Sequence, residues 1–339
     1  MGVLKYFLFF FLSVILTGCY ETFTPEIEDK PVLCINSLIK EGAPIEVKIS
    51  HTWVYSDLES MKDHSVVDAF VTLYANNMEV NEKYIPKEGD NIKIYATSKK
   101  YGSAEAETTV PLMSKIELID CDINILSQNI YSEEEYPINI SLYFNLLVKL
   151  EVRDISDFED YYHLSFKDFY LADPLTEDNL KDPDYFNDKL LFYNSGYLDY
   201  DAEPIFFENM EEFESVYGEP QGFNFFTDKN FDGKSYTLTL LFRGCIYQLK
   251  AKNWEPDFLD CGMLITLHSV SKSYYDWEYY YQQISSGILN DITDWGFSDP
   301  IWGYSNVSSG AGVVAAESST SIILNLKDII EKLLSIRQN

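Results

Sequence analysis

Alternating apolar and polar residues predict β-strands along most of the chain. In the first third, apolar side chains recur at every second position over residues 45–49, 67–73 and 92–96. Glycine, proline and asparagine separate these runs, as in the turn at residues 87–90. Period-two alternation cut by turn residues is typical of an antiparallel sandwich. The pattern therefore predicts an immunoglobulin-like β-sandwich over residues 31–111.

The alternation continues beyond the first region and predicts a larger β-rich domain over residues 112–325. It is clearest at residues 148–152, 162–166 and 236–242. Between the last two lies Asp168–Glu219, a long acidic and aromatic insertion with fifteen carboxylates and two lysines. Long loops in compact domains are often binding surfaces. The predicted fold class is mainly β, an immunoglobulin-like β-sandwich followed by a larger β-sandwich-like domain.

One principal helix is predicted over residues 274–286, directly after a strand. Ser273 and Asp276 have the spacing of a capping box. Apolar residues then recur at three-and-four spacing, which predicts a stripe that packs on the sheet. The stripe consists of Tyr274, Trp277, Tyr281, Ile284 and Ile288. A second short helix, residues 326–336, is predicted within a C-terminal helical tail, residues 326–339.

The N-terminal residues 1–19 have the pattern of a signal peptide. Lys5 precedes an eleven-residue apolar run that is too short to span a bilayer. The run closes with Leu-Thr-Gly-Cys19, which resembles the bacterial lipobox, in which the cysteine is acylated. A plain secretory signal with an incidental cysteine is the alternative. Residues 20–30 are predicted to be an acidic tether. The lipobox predicts that the chain is lipid-anchored at the cell outer membrane, on its surface or periplasmic face.

The charge of the chain excludes two classes of partner. Acidic residues outnumber lysine and arginine by 55 to 25, and the formal net charge is −30. Binding to nucleic acid and adsorption to anionic lipid both need a positive face. The hydrophobic fraction of 46% provides a core and argues against wholesale disorder.

A weak calcium site is a hypothesis for the segment Asp228-Lys-Asn230-Phe-Asp232-Gly233. It matches the first half of a calcium loop, with oxygen ligands at alternate positions before the glycine of a sharp turn. Position twelve is Thr239 and not the bidentate glutamate of an EF-hand. The alternative is a plain hairpin turn, in which Gly233 serves the backbone geometry.

Four cysteines remain besides Cys19, and none has Cys-x-x-Cys spacing. Cys245 and Cys261 fall in consecutive predicted strands and form a candidate disulfide, with buried free thiols for Cys34, Cys121 and this pair as the alternative. The four histidines have no ligand spacing, and no nucleophile elbow, phosphate loop or dinucleotide fingerprint occurs. No catalytic residue is therefore predicted, no cofactor beyond weak calcium is expected, and the chain is predicted not to be an enzyme.

Several segments together resemble a Bacteroidota family of outer-membrane lipoproteins, the domain of unknown function 4249. In the first half these are the lipobox, VLCINSLI, IEVKISHTWVYSD and VVDAFVTLYANN. In the second half they are LHSVSKSYYDWEYYYQQ and DPIWGYSNVSSGAGVVAA. The resemblance implies an accessory role beside a TonB-dependent receptor, and it implies no catalytic or ligand residues.

Three functional hypotheses follow. The first is an accessory or substrate-binding partner of a TonB-dependent nutrient transporter, with Asp168–Glu219 as its candidate surface. The second is a structural or adhesive cell-surface lipoprotein without a small ligand. The third is a hydrolase with unidentified carboxylates.

Overall fold

The alternating runs form three β-sheets. The structure, a computed structural model, describes residues 30–52, 64–131, 138–155, 158–171, 193–194, 196–199, 202–207, 224–252, 255–256, 260–285, 303–327 and 329–330. The strands within these ranges are β1 (Leu33–Lys40), β2 (Lys48–His51), β3 (Phe70–Ala75), β4 (Met78–Val80), β5 (Asn91–Ser98), β6 (Gly102–Thr109), β7 (Lys115–Tyr131), β8 (Ile138–Arg153), β9 (Tyr161–Leu171), β10 (Tyr193–Asn194), β11 (Tyr197–Asp199), β12 (Phe225–Thr227), β13 (Ser235–Lys252), β14 (Glu255–Pro256), β15 (Asp260–Val270) and β16 (Val314–Asn325). The helices are one turn of 3-10 helix, Pro204–Phe207, and α1 (Lys272–Ser285).

The largest sheet is shared between the two halves of the chain. This central sheet has the strand order β12-β9-β15-β16-β1-β2. Its β1–β16 pair is parallel, and its other pairs are antiparallel. The long-strand sheet has the order β10-β13-β8-β7, and the small sheet has the order β4-β3-β5-β6.

Two cores lie on the same face of the central sheet. One joins β1 and β16 to the small sheet through side chains such as Ile35, Val314 and Ile94. The other joins β9 and β15 to the long-strand sheet through side chains such as Ile265 and Phe144. Both cores are filled by every second residue of their strands, which is the arrangement that period-two alternation predicts. The opposite, outer face of the central sheet carries α1.

The mainly β fold with one principal helix is confirmed. The central sheet draws β1 and β2 from residues 31–111, and β9, β12, β15 and β16 from residues 112–325. The boundary between the two ranges stays a prediction. Most of Asp168–Glu219 lies outside the described residues, but Ile205 and Phe206 of its 3-10 turn are buried in the second core.

Helix α1 starts two residues earlier than predicted and is rotated from the predicted face. The cap is Ser271, whose Oγ accepts the Tyr274 backbone N–H at 3.4 Å. Ser273 donates instead to the carbonyl oxygen of Val314, at 2.9 Å. The Ser271 Oγ also accepts the Ala316 N–H, so both serines hold the start of the helix against β16. The prediction of Ser273 as the cap is wrong because its hydroxyl is used in that contact.

The rotation buries Tyr275, which is 7% exposed and packs near Tyr161 and Phe225. Trp277 and Tyr281 are 37% and 54% exposed, so the prediction that they pack on the sheet is wrong. Of the predicted C-terminal helix, Lys327 and residues 329–330 are helical, Leu326 lies before the helix, and residues 328 and 331–336 are outside the described residues. Within the described ranges, no helix has both the length and the hydropathy that crossing a bilayer requires.

Candidate functional site

A groove of about 550 Å³ lies beside α1 on the outer face of the central sheet. Its floor is formed by exposed-face residues of β1 and by the start of β16. One wall is α1, and the opposite rim comes from β2 and the residues before it. The lining residues are Asn36, Ser37, Leu38, Lys40, Glu46, Lys48, Tyr274, Trp277, Glu278, Val313 and Ala315.

An aromatic ladder, defined here as Tyr274, Trp277 and Tyr281, runs along α1, and its first two members line the groove. The ring centroids of Tyr274 and Trp277 are 6.3 Å apart, and those of Trp277 and Tyr281 are 5.7 Å apart with planes at 21°. Aromatic rings with one open face and a polar edge bind flat ligands well. The ladder therefore adds a stacking surface to the groove.

A buried carboxylate, that of Glu317, pairs with the exposed Lys40 of the groove floor. Lys40 Nζ lies 3.1 Å from Glu317 Oε1, and His268 Nδ1 lies 3.2 Å from Glu317 Oε2. Burial alone would raise the pKa of Glu317, but the hydrogen bond from His268 and the charges of His268 and Lys40 outweigh it and hold this pKa below its ordinary value. At the wall, burial raises the pKa of Glu278. The groove thus combines aromatic faces with charges of both signs.

His163 lies under α1 on the same outer face. Its ring stacks on Phe225 with centroids 4.2 Å apart, and its centroid is 5.2 Å from that of His268. Burial, with a smaller contribution from the charge of His268, lowers the pKa of His163 to about 4. His163 is therefore neutral in the folded protein at neutral pH.

Acidification should destabilise the fold through His163. The unfolded chain binds a proton at this residue near pH 6.5, while the folded chain does so only near pH 4. Stability is therefore fully present above pH 6.5 and falls as the pH drops towards 4. The free energy of unfolding should fall between pH 7 and pH 5 in both proteins. The fall should be about 1–2 kcal/mol smaller in His163→Phe than in the wild type, measured by urea denaturation. Equal losses would contradict burial of a neutral imidazole.

The structure brings the histidines into two pairs that sequence spacing does not reveal. Besides His163 and His268, the rings of His51 and His64 lie edge to face with centroids 5.0 Å apart. His51 also stacks on Tyr101. No histidine belongs to a set of three ligand-type side chains with metal spacing among the described residues.

Three aspartates form an acidic cluster, defined here as Asp154, Asp160 and Asp228. One carboxylate oxygen of each lies within 4.8 Å of those of the other two. Residues 154–160 pass from β8 in the long-strand sheet to β9 in the central sheet, and residues 228–234 pass from β12 in the central sheet to β13 in the long-strand sheet. The cluster therefore lies where the chain crosses twice between two sheets.

The three predicted calcium ligands do not share one environment in the structure. Asp228 is buried beside Asp154, which is also buried, and Asp160, which is half-buried, whereas Asn230 and Asp232 are exposed. The hairpin alternative is wrong because β12 and β13 pair with different strands in different sheets. The expectation for Gly233 is confirmed, since its φ of 64° is in the left-handed region that favours glycine.

The candidate disulfide stays a prediction. Cys245 is buried in β13 of the long-strand sheet, while Cys261 belongs to β15 of the central sheet, and the side chain of Cys261 lies outside the described residues. Cys34 and Cys121 carry free thiols. Burial raises the pKa of Cys121 to about 11, which makes it a poor nucleophile. Cys19 lies outside the described residues.

A family model described as Domain of unknown function (DUF4249) matches residues 20–323. The chain belongs to the DUF4249 family. This confirms the predicted membership of the domain of unknown function 4249 family; the lipoprotein character stays a prediction. The groove and the acidic cluster both lie within the DUF4249 match. No curated protein and no solved structure matches the chain.

Proposed function

We propose that this DUF4249 protein is a non-catalytic, lipid-anchored binding protein of the outer membrane that captures a nutrient for a TonB-dependent transporter. The observation that carries the proposal is the groove beside α1, with the half-buried Tyr274 and the exposed Trp277 in its wall. Ligand sites of about 300–1,000 Å³ are typical for small ligands, and this groove falls in that range. The lipobox supports the membrane anchor.

The chemistry of the groove favours a glycan as the ligand. A sugar ring has an apolar C–H face that would pack against the exposed part of Trp277 in the groove wall, and hydroxyl groups at its edge. Asn36 provides an amide that both donates and accepts hydrogen bonds, while Glu46 and Lys48 provide an acceptor and donors along the opposite side. Stacking on the wall and hydrogen bonding at the floor and rim would hold such a ring edge-on to the sheet.

Removing the aromatic ladder should weaken glycan binding. Trp277→Ala should lower affinity about 10- to 30-fold, because a central exposed aromatic contributes about 1.4–2 kcal/mol to binding. The measurement is a glycan panel followed by isothermal titration calorimetry with the strongest binder. The matched control is Tyr280→Ala, since Tyr280 is also 37% exposed on α1 but stacks on Tyr304, away from the groove lining.

Equal effects of the two substitutions would contradict the groove as the binding site. Binding of peptides alone on a parallel panel would contradict a glycan ligand. Purification of the tagged, lipidated protein in detergent should recover a TonB-dependent receptor with it. Self-association without a receptor would favour the adhesive alternative, and turnover of a glycan would favour the hydrolase alternative.

A further inference from the structure

The acidic cluster places three carboxylates close together. Two of them, Asp154 and Asp228, are buried. Asp228 is fully buried, and Asp154 is 7% exposed. Neither forms an ion pair with a lysine or arginine in the described part of the chain. Buried charges are normally paired or bound to a metal, because unpaired burial is costly. The arrangement therefore requires a balancing positive charge.

An orphaned oxygen identifies where that charge is missing. Asp228 Oδ1 accepts the Asp160 N–H at 2.9 Å, but Asp228 Oδ2 is buried and has no hydrogen-bond partner. A buried acceptor without a donor costs about 1–3 kcal/mol. This oxygen belongs to the fully buried member of the cluster and is a second observation, independent of the clustering, that points to a ligand.

We propose that Asp154, Asp160 and Asp228 bind a divalent cation of the calcium class. All three side chains offer hard carboxylate oxygens, which calcium and magnesium prefer. Histidine and cysteine, the preferred ligands of zinc and copper, do not belong to the cluster. Calcium fits better than magnesium, because magnesium demands strict octahedral geometry and retains much of its water, whereas calcium accepts carboxylates in flexible geometry.

Hydrogen bonds already hold the ligands in place. Asp154 Oδ1 accepts from the Tyr162 hydroxyl at 2.8 Å, and its Oδ2 accepts from the Gly233 N–H at 2.6 Å. Each of these oxygens retains a further lone pair for a cation. The Asp228 N–H donates to the Asp160 carbonyl oxygen at 3.2 Å, so the backbones of these two ligands are joined directly.

A cation in this position would join two chain crossings. Asp154 and Asp160 bracket the crossing from β8 to β9, and Asp228 starts the crossing from β12 to β13. Each crossing connects the central and long-strand sheets. Binding would therefore stabilise the folded state at the edge of the second core, and it would do so by mass action.

The competing explanation is a proton on Asp228. Burial, together with the charges of Asp154, Asp160 and Asp232, raises the pKa of Asp228 to about 6. A proton would balance the cluster in acid but not at pH 7.5. Measurements at pH 7.5 therefore separate the cation from the proton.

The test compares melting temperatures at pH 7.5 in chelator and in about 1–10 mM calcium, the range in which extracellular calcium modules saturate. The wild type should gain about 5 °C in calcium and less in magnesium at equal ionic strength. Asp228→Asn and Asp160→Asn should show no calcium-dependent gain. The matched control is Asp232→Asn, which removes one exposed carboxylate of the same loop and should retain the full gain. Calorimetric titration with calcium should show one binding event for the wild type and none for Asp160→Asn.

Each other outcome overturns the proposal. No gain in the wild type would leave protonation as the balance of the cluster. Equal gains in every variant would indicate general screening of the acidic chain. Loss of the gain in Asp232→Asn but not in Asp160→Asn would place the ion in the local loop. If Asp228→Asn does not fold, the comparison of Asp160→Asn with Asp232→Asn still decides the question.

Discussion

Gly262→Ala is expected to lower the melting temperature by about 6–10 °C. Gly262 lies in β15 between β9 and β16, opposite Phe169 and Asn325. A Cβ at this position would overlap the backbone carbonyl oxygen of Leu324 and lie 3.0 Å from a ring carbon of Phe169. Main-chain atoms of a central strand cannot rotate away, so β15 and β16 must separate. Overpacking of this kind costs about 3 kcal/mol, which gives the expected shift.

The matched control for Gly262 is Gly303→Ala, because a Cβ at Gly303 would meet no atom within 4 Å. Its melting temperature should stay within about 2 °C of the wild type, as for other surface substitutions. Thermal unfolding followed by circular dichroism measures both variants. Similar melting temperatures for Gly262→Ala and Gly303→Ala would contradict the close approach of the two strands.

Cys19→Ala is expected to abolish the membrane anchor. Each buried CH₂ of an acyl chain contributes about 0.8 kcal/mol, so if Cys19 is acylated as proposed, its replacement would remove the main attachment to the bilayer. Metabolic labelling with a clickable fatty acid should mark the wild type and leave Cys19→Ala unmarked. Fractionation should move Cys19→Ala from the membrane to the soluble fraction.

Cys34→Ala is the control for the anchor, since Cys34 carries a free thiol in β1. It should keep both the fatty-acid label and the membrane location. Equal labelling of wild type and Cys19→Ala would reject the lipobox interpretation. If the label depends on Cys19, protease treatment of intact cells distinguishes the surface from the periplasmic face for the anchored protein.

Local patterns predicted the strands well because period-two alternation is a property of neighbouring residues. The runs at 148–152 and 236–242 lie in β8 and β13, and these strands pair over most of their length. The turn at residues 87–90 is present, with the Asp90 N–H donating to the Lys87 carbonyl oxygen and Gly89 at a φ of 78°. Turn chemistry is equally local, so both features could be predicted from sequence.

Contacts between distant segments could not be predicted in this way. Asp228 was identified as a possible ligand, but its partner Asp160 is 68 positions away and joins it only through the two crossings. The spacing of α1 correctly predicted a helix, yet its rotation depends on bonds from Ser271 and Ser273 to β16. The groove therefore appears only once the sheet and helix are assembled.

The parallel pair of β1 and β16 sets the order in which the protein completes its folding. The Val313 N–H donates to Asn36 Oδ1 across 277 positions of the chain, at the start of the pair in which Ser37 lies opposite Val314. Because a ribosome releases the N-terminus first, β1 is made early and waits for β16, the last of the described strands. Pairing across such long separations is slow, and a strand edge left open invites aggregation. The central sheet can therefore be completed only once β16 is available, and until then β1 presents an open edge on the side that β16 will occupy.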